Sequence, residues 1–381
     1  MDPRQSDSPQ VEHAARVLRS GGLVVLPSET VYGVYGDAAG AGAGLLALKQ
    51  LARRADLKPR TYPWTWHAPS LERILEVLPL RSPLHRRVAR VWMPGPVRCH
   101  VERSDAEIAQ TLAALNVAPG ILDGEFPETP GRVVSVRVPD HAATQGVLAS
   151  AGGAMIAESA SNFGVGDGQS LNQGALARAK ELGLDALLAG EPTRLGRPST
   201  AIRLLAGGGY RVEGVGAADE REIRARVERR IVFVCSGNTC RSPVAEAIAR
   251  DLLARRESPP GEAPVPTRVL SAGTGAAPGA GMTPQSAAVL VEMGIDPGRH
   301  ASRQLTRDEV MGAERIFVMT RQHRRAVEML GARVSAELLD PGGADIDDPI
   351  GSPLRQYRDM AKSVRRAVEL RLAEIEEGDR R

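Results

Sequence analysis

Cys235-Ser-Gly-Asn-Thr-Cys240-Arg241-Ser-Pro243 places a thiol and a guanidinium with five residues between them, immediately after the apolar run Ile231 to Val234 and at the opening of a helical pattern. Backbone amides in such a turn can curl around an anion at the helix N-terminus. Arg241 would grip two phosphate oxygens with its planar fork, and the same cationic surroundings favour Cys235 as an attacking thiolate. Ser242 is a donor to that sulfur, while Gly237 and Asn238 tolerate the left-handed backbone of a tight cradle. Ser236, Gly237, Asn238, Thr239, Cys240 and Ser242 are therefore the candidate phosphate-binding residues. The bland alternative is a buried cysteine at a helix start. Nucleophilic chemistry of this kind also needs an acid for the leaving group, and Asp348 in Asp345-Ile-Asp-Asp-Pro-Ile-Gly351 is the candidate. The same carboxylate can then act as base for water.

A second cluster lies near the start, in Gly22-Leu-Val-Val-Leu-Pro-Ser-Glu-Thr-Val-Tyr-Gly33, where a buried strand runs into a polar loop suited to a nucleotide or amino acid. The spacing of apolar residues predicts a helix over Val11 to Arg19, further helices near Gln145 to Ala151 and Gln173 to Leu182, and strands at Val133 to Val138 and Ala201 to Leu204. Ala218 to Arg230 reads as a surface helix closing a first domain. From Ile231 the order is strand, loop, helix (Ser242 to Arg255), strand (Arg268 to Ser271), helix (Pro284 to Met293), strand (Arg315 to Met319), helix (Arg321 to Met329) and a long last helix from Leu354 to Glu377. Such alternation predicts a parallel sheet wrapped by helices. Glu257 to Pro266 is rich in Pro and Gly and reads as a loop.

A length of 381 residues implies more than one core, and we place the boundary between residues 229 and 230. Net charge of +3 with 3% aromatics argues against a basic, aromatic-lined nucleic-acid groove. No apolar run reaches the roughly 18 residues of a membrane span, and the polar N-terminus does not read as an export signal. Three cysteines are no disulfide framework and fit a reducing compartment, so a cytoplasmic protein without membrane attachment is expected. The seven histidines show no metal-ligand spacing, predicting no metal site, and His300 reads as a turn-packing residue.

Cys235 to Pro243, Ser271-Ala-Gly-Thr274, Val318-Met-Thr320 and Asp348-Pro349 together resemble the low-molecular-weight protein-tyrosine phosphatase family across residues 230 to 381. The resemblance implies a parallel-sheet α/β/α domain, catalytic Cys235, Arg241 and Asp348, phosphorylated protein substrates and no cofactor. Family members that hydrolyse phosphotyrosine usually carry a bulky aliphatic residue where this chain has Thr239, whereas protein-arginine phosphatases carry Thr. Ser271 to Ser286 holds no Phe, Tyr or Trp, and Ile350-Gly351 follows Pro349, so a phosphotyrosine ring has no stacking wall. Phosphoarginine is the first expectation and phosphotyrosine the second. Cys240 is either a thiol that traps oxidised Cys235 as a disulfide or a small buried residue.

The first half, over Val11 to Glu228, resembles the YrdC/YciO/YwlC family of threonylcarbamoyl-adenylate synthases. The resemblance rests on the Gly22 to Gly33 segment with Met93-Pro-Gly-Pro96, Val136-Arg-Val-Pro139, Ser199-Thr200 and Arg211. It implies a twisted open α/β sheet domain over 1–229. It also implies ATP with magnesium, L-threonine and bicarbonate as substrates, and a link to tRNA modification. Carried over residue by residue, Thr30, Tyr32, Lys49, Ser161, Asn162, Ser199 and Arg211 would form the ATP and threonine pocket. The family's Lys-x-Arg stands here as Lys49-Gln50-Leu51, Ser28 replaces a Thr, and the Ser-Ala-Asn signature becomes Ser159-Ala-Ser161-Asn162. Two readings follow: an active synthase, or a degenerate binding or scaffold module fused to the phosphatase.

Overall fold

The computed structural model describes residues 8–58, 62–126, 129–184, 186–188 and 192–380. Its packing separates Met1–Arg226 with Pro260–Ala263 from Val227–Pro259 with Pro264–Arg381. In the first unit the order is α1 (Pro9–Arg19), β1 (Val24–Leu26), β2 (Gly33–Asp37), α2 (Ala43–Arg54), β3 (Thr65–His67), α3 (Leu71–Val77), α4 (Pro83–Trp92), β4 (Val97–Glu102) and α5 (Asp105–Leu115). It continues through β5 (Asp123–Phe126), β6 (Thr129–Arg137), α6 (Ala142–Ala151), β7 (Met155–Ser159), α7 (Gln173–Glu181), β8 (Ala186–Leu187), β9 (Thr200–Leu204), β10 (Tyr210–Gly214) and α8 (Glu220–Val227). The second unit holds β11 (Arg229–Cys235), α9 (Arg241–Ala254), β12 (Thr267–Gly273), α10 (Pro284–Glu292), α11 (Arg307–Gly312), β13 (Arg315–Val318), α12 (Arg321–Met329), β14 (Ala336–Leu338) and α13 (Leu354–Arg380). Both units are α/β. No helix of the described residues is long and apolar enough to cross a membrane.

Strands of the first unit fall into two sheets, one ordered β7-β2-β1-β8 and the other β10-β9-β4-β6-β3 with β5 on β6. α1 starts where Ser8 accepts a hydrogen bond from Val11 N, with Pro9 as the first helical residue. Its buried stripe of Val11, Ala14, Ala15 and Leu18 packs with Val147 and Leu148 of α6 beside Val24 and Leu26. In α2 the buried positions are Gly44, Leu45, Leu48 and Leu51, which leaves position 49 on the outer side.

The second unit is a parallel sheet in the order β12-β11-β13-β14. Alternation along β11 sorts its side chains between two layers. Ile231, Phe233 and Cys235 join the core made with α9, α10 and α13, while Val232 and Val234 face α11 and α12 through Val310 and Val327. Each such fully buried aliphatic or aromatic side chain contributes on the order of 1.5–3 kcal/mol. The sequence reading of one helix over Ala218 to Arg230 ends too late. Arg229 and Arg230 instead begin β11, paired with Thr267 and Arg268, because Arg229 meets Glu314 and Asp379 and the ladder satisfies its backbone.

In a parallel sheet all strands end on the same edge, so the loops after β11, β12, β13 and β14 gather there. That edge carries Cys235, Gly273, Thr320 and, just beyond β14, the segment from Asp345 to Asp348. Two short elements absent from the sequence reading, α11 and β14, complete this half.

Candidate active sites

Cys235 is the last residue of β11, and residues 236 to 240 turn sharply into α9. Asn238 makes the turn with φ of 54°, in the left-handed region. Every polar atom of Asn238 is engaged. Its N–H donates to Cys235 Sγ (3.3 Å), its Nδ2 donates to Ser242 Oγ and Ser271 Oγ (2.9 Å each), and Oδ1 accepts from Arg303 N (3.0 Å). His300 Nε2 donates to its carbonyl at 2.7 Å. His300 thus braces the cradle rather than merely packing a turn. Gly273 lies opposite Cys235 in the ladder, and a Cβ there would stand 2.4 Å from Ser236 O and 3.0 Å from Asn238 N. Only glycine lets β12 run this close to the turn.

Ser242 Oγ, which accepts from Asn238, sits 3.0 Å from Cys235 Sγ and has its own hydrogen to give the sulfur. Behind it Ser271 Oγ donates to Glu246 Oε2 at 2.6 Å, which fixes the amide of Asn238 in turn. Arg241 is buried at 3% exposure; Nη1 donates to Ile346 O (3.0 Å) and Nη2 to Ser236 Oγ (3.2 Å) and Asp348 Oδ2 (2.5 Å). Its Nε is buried with no hydrogen-bond partner among the described residues. A buried guanidinium N–H left unpaired is costly, so this donor calls for an acceptor.

His323 joins the cradle from α12. Its Nε2 lies 2.9 Å from Ser236 Oγ and its Nδ1 2.9 Å from Oγ1 of Thr320, the residue that caps α12. Burial, and secondarily the Arg241 cation, push its pKa down to about 4, against opposing pulls from Asp348 and Asp345. The imidazole is therefore neutral above that value. Because the unfolded chain takes up a proton near pH 6.5 and the folded one near 4, this group withdraws stability as pH falls through that window.

Cys240 is also buried, with Thr283 Oγ1 at 3.6 Å and Tyr357 OH at 3.9 Å from its sulfur. Burial first and Cys240 second raise the pKa of Tyr357. Thr239 is half-buried at the rim, its Oγ1 3.7 Å from Cys240 Sγ. Beside Asp348 opens a cleft of about 560 Å³ lined by Asp340, Asp345, Asp347, Asp348 and Asp359 with Ile346, Pro349 and Met360. Cys235 is not among its walls. Ile350, next along the rim, is 63% exposed.

In the first unit a pocket of about 330 Å³ is lined by Tyr32, Ser161, Asn162 and Ser199, four of the seven residues proposed from sequence. Arg98 and Arg137 supply its cations, and neither was singled out as a site residue. Arg137 Nη2 donates to Glu29 Oε1 (2.8 Å) and Thr30 Oγ1 (2.7 Å), while its buried Nε has no hydrogen-bond partner among the described residues. Thr30 lies fully buried behind the wall, also 2.9 Å from Ser28 Oγ. Lys49 and Arg211 are not brought to this pocket. Lys49 is exposed on α2 because Leu45, Leu48 and Leu51 occupy the inward face, and Arg211 points from β10 to Glu213 at 3.3 Å. Glu158 lines the same pocket and accepts from Asn162 Nδ2 at 2.9 Å.

Comparison with known proteins agrees with this division. The low-molecular-weight phosphotyrosine protein phosphatase model matches residues 230–380, and the Sua5/YciO/YrdC model, described as telomere recombination, matches residues 16–212. Among relatives, the probable low-molecular-weight protein-tyrosine-phosphatase EpsP of Ralstonia solanacearum is 32% identical over 142 residues, covering 36% of this chain and 90% of that protein. The protein-arginine-phosphatase of Bacillus subtilis is 33% identical over 156 residues, covering 36% of this chain and 99% of that protein. Its counterpart in Geobacillus stearothermophilus is 35% identical over 151 residues, covering 38% and 94%. The chain therefore belongs to two families at once, Sua5/YciO/YrdC through its first half and the low-molecular-weight protein phosphatases through its second.

Proposed function

We propose that the second half hydrolyses phosphorylated protein side chains through a phosphocysteine intermediate, with phosphoarginine preferred over phosphotyrosine. The observation that carries this reading is the cradle itself. Cys235 Sγ has two donors within 3.3 Å, and a buried Arg241 with an unpartnered Nε reaches Asp348 at 2.5 Å. The thiolate attacks phosphorus, the bond from phosphorus to the leaving nitrogen or oxygen breaks, and Asp348 passes its proton to that atom. Water then attacks the phosphocysteine and gives a proton to the Asp348 carboxylate, releasing inorganic phosphate and the thiolate. Each step uses side chains of this chain and water, and all three cysteines are free, which suits a reducing, cytoplasmic setting.

Thr239 at the rim and the exposed aliphatic Ile350, in place of aromatic walls, favour a flexible cationic leaving group over a flat ring. Some relatives bear the name protein-arginine-phosphatase and others, in greater number, are named protein-tyrosine-phosphatases, so both substrates belong in the test. Matched peptides carrying phosphoarginine or phosphotyrosine should differ by about tenfold or more in kcat/KM in favour of phosphoarginine. A preference for phosphotyrosine overturns that specificity.

For the first half, the pocket with Tyr32, Ser161, Asn162, Ser199, Arg98 and Arg137 supports a threonylcarbamoyl-adenylate synthase that serves tRNA modification. Its two guanidinium groups suit the anionic ATP and the carboxylates formed from threonine and bicarbonate, and magnesium would arrive on the nucleotide phosphates. Pyrophosphate release from ATP should require both L-threonine and bicarbonate, and Arg137→Ala should reduce it at least about tenfold. Failure of the full-length protein to bind ATP or threonine would instead identify this half as a scaffold.

A further inference from the structure

We propose that His323 is a positioning residue of the phosphatase site, holding the Ser236 hydroxyl so that its hydrogen is presented to the transferred phosphoryl group beside the Arg241 fork. The inference rests on the phosphatase reading above and on hydrogen-bond accounting. Thr320 Oγ1 accepts from His323 N–H at 3.4 Å, and in the arrangement proposed it gives its own hydrogen to His323 Nδ1 at 2.9 Å. That assignment leaves the proton of the neutral imidazole on Nε2, where it donates to Ser236 Oγ at 2.9 Å. Ser236 Oγ also accepts from Arg241 Nη2 at 3.2 Å. A serine oxygen has two acceptor positions, and both are now filled by donors. Its own hydrogen must point elsewhere, and Ser236 is an exposed residue in the turn between Cys235 and Arg241.

The charge state of His323 fits the role. Arg241, Asp348 and Asp345 are the charged groups acting on it, and burial beside Arg241 keeps it neutral above about pH 4. A neutral ring has one N–H, and the proposed arrangement places it on Nε2, facing Ser236, with Nδ1 accepting from Thr320. The elements involved are separate in sequence: Ser236 lies in the turn after β11 and His323 on the first turn of α12, 87 residues on. Parallel pairing of β11 with β13 brings them together.

The test uses His323→Phe, His323→Gln, Ser236→Ala and the double variant Ser236→Ala/His323→Phe in the full chain, with orthovanadate inhibition and kcat/KM as readouts and thermal unfolding as the control. Loss of one hydrogen bond to a charged phosphoryl group predicts about tenfold weaker vanadate inhibition and about tenfold lower kcat/KM for His323→Phe and for Ser236→Ala. The double variant should be no worse than either single one, because the two residues act as one donor. His323→Gln, whose amide keeps an N–H, should stay within about threefold of the parent. The inference is overturned if Ser236→Ala leaves vanadate inhibition intact, if the two losses multiply, or if Gln and Phe fall equally. A parent protein inactive on every phosphomonoester and phosphoramidate overturns the phosphatase reading itself and this inference with it.

Discussion

Cys235→Ser should lose phosphatase turnover by at least about 10⁴-fold while still binding orthophosphate or vanadate. In the mechanism proposed above the sulfur is the atom that forms the covalent bond, and a serine hydroxyl at neutral pH is a far weaker nucleophile than a thiolate. The cradle does not depend on it. Arg241 is held by Ile346 O, Ser236 Oγ and Asp348, and Asn238 keeps its other four hydrogen bonds when the weak one to sulfur is replaced. Oxygen is smaller than sulfur, so no overpacking arises in the buried site. Steady-state turnover with calorimetric titration of vanadate separates the two effects. Retained turnover would show that another group attacks phosphorus, and lost vanadate binding would show that the sulfur also shapes the bowl.

Asp348→Asn should lower kcat by about 10²–10⁴-fold, with the size of the loss set by the leaving group. An asparagine cannot hand over a proton, so a phosphotyrosine peptide or an alkyl phosphate should suffer most. A dinitrophenyl phosphate, whose leaving group departs without protonation, should suffer least. Binding should move the other way. Asp348 Oδ2 lies 2.5 Å from Arg241 Nη2, so its charge competes with any incoming oxyanion for that donor. Removing the charge should leave vanadate inhibition equal or stronger. Asp348 is 38% exposed at its side chain, and its ion pair with Arg241 is partly screened, so the melting temperature should shift little. A uniform loss of kcat across leaving groups would remove Asp348 from the role of acid and make it a residue that only orients Arg241.

Legibility from sequence differed between the two sites for a physical reason. Cys235 to Ser242 is one contiguous turn from strand end to helix start, and its conformation is chosen locally by Asn238 and the helix that follows, whereas Gly237, expected to share the left-handed backbone, does not adopt it. The matching pattern at Asp348-Pro349 is also local, although its partner lies 107 residues away. His323, His300 and Glu246 carried no comparable signal, and Ser271 entered only through the Ser271-Ala-Gly-Thr274 resemblance, with no role of its own. Each is an ordinary polar residue on its own element, and each matters only because parallel pairing delivers the ends of β11, β12 and β13 to one edge.

The first half shows the converse. Tyr32, Ser161, Asn162 and Ser199 reach a shared pocket, whereas Lys49 and Arg211, chosen by motif position, do not. A helix turns its side chains through about 100° per residue. The leucines at 45, 48 and 51 therefore settled where Lys49 could face, and they did so against the interest of the motif. Arg137 stood in the sequence within an apolar strand pattern and the Val136-Arg-Val-Pro139 resemblance but was given no site role, and its burial against Glu29 and Thr30 is a fact of strand β6 meeting the loop after β1.

The linear order of residues thus determined two α/β halves and singled out the proposed nucleophile, its arginine and its acid, because each is written in short stretches that fold on themselves. Tertiary structure alone decided which distant side chains complete the cradle and which cations line the second pocket. Those depend on strand pairing and on which helix face is apolar enough to be buried, and such choices are made by the whole core rather than by neighbours in the chain.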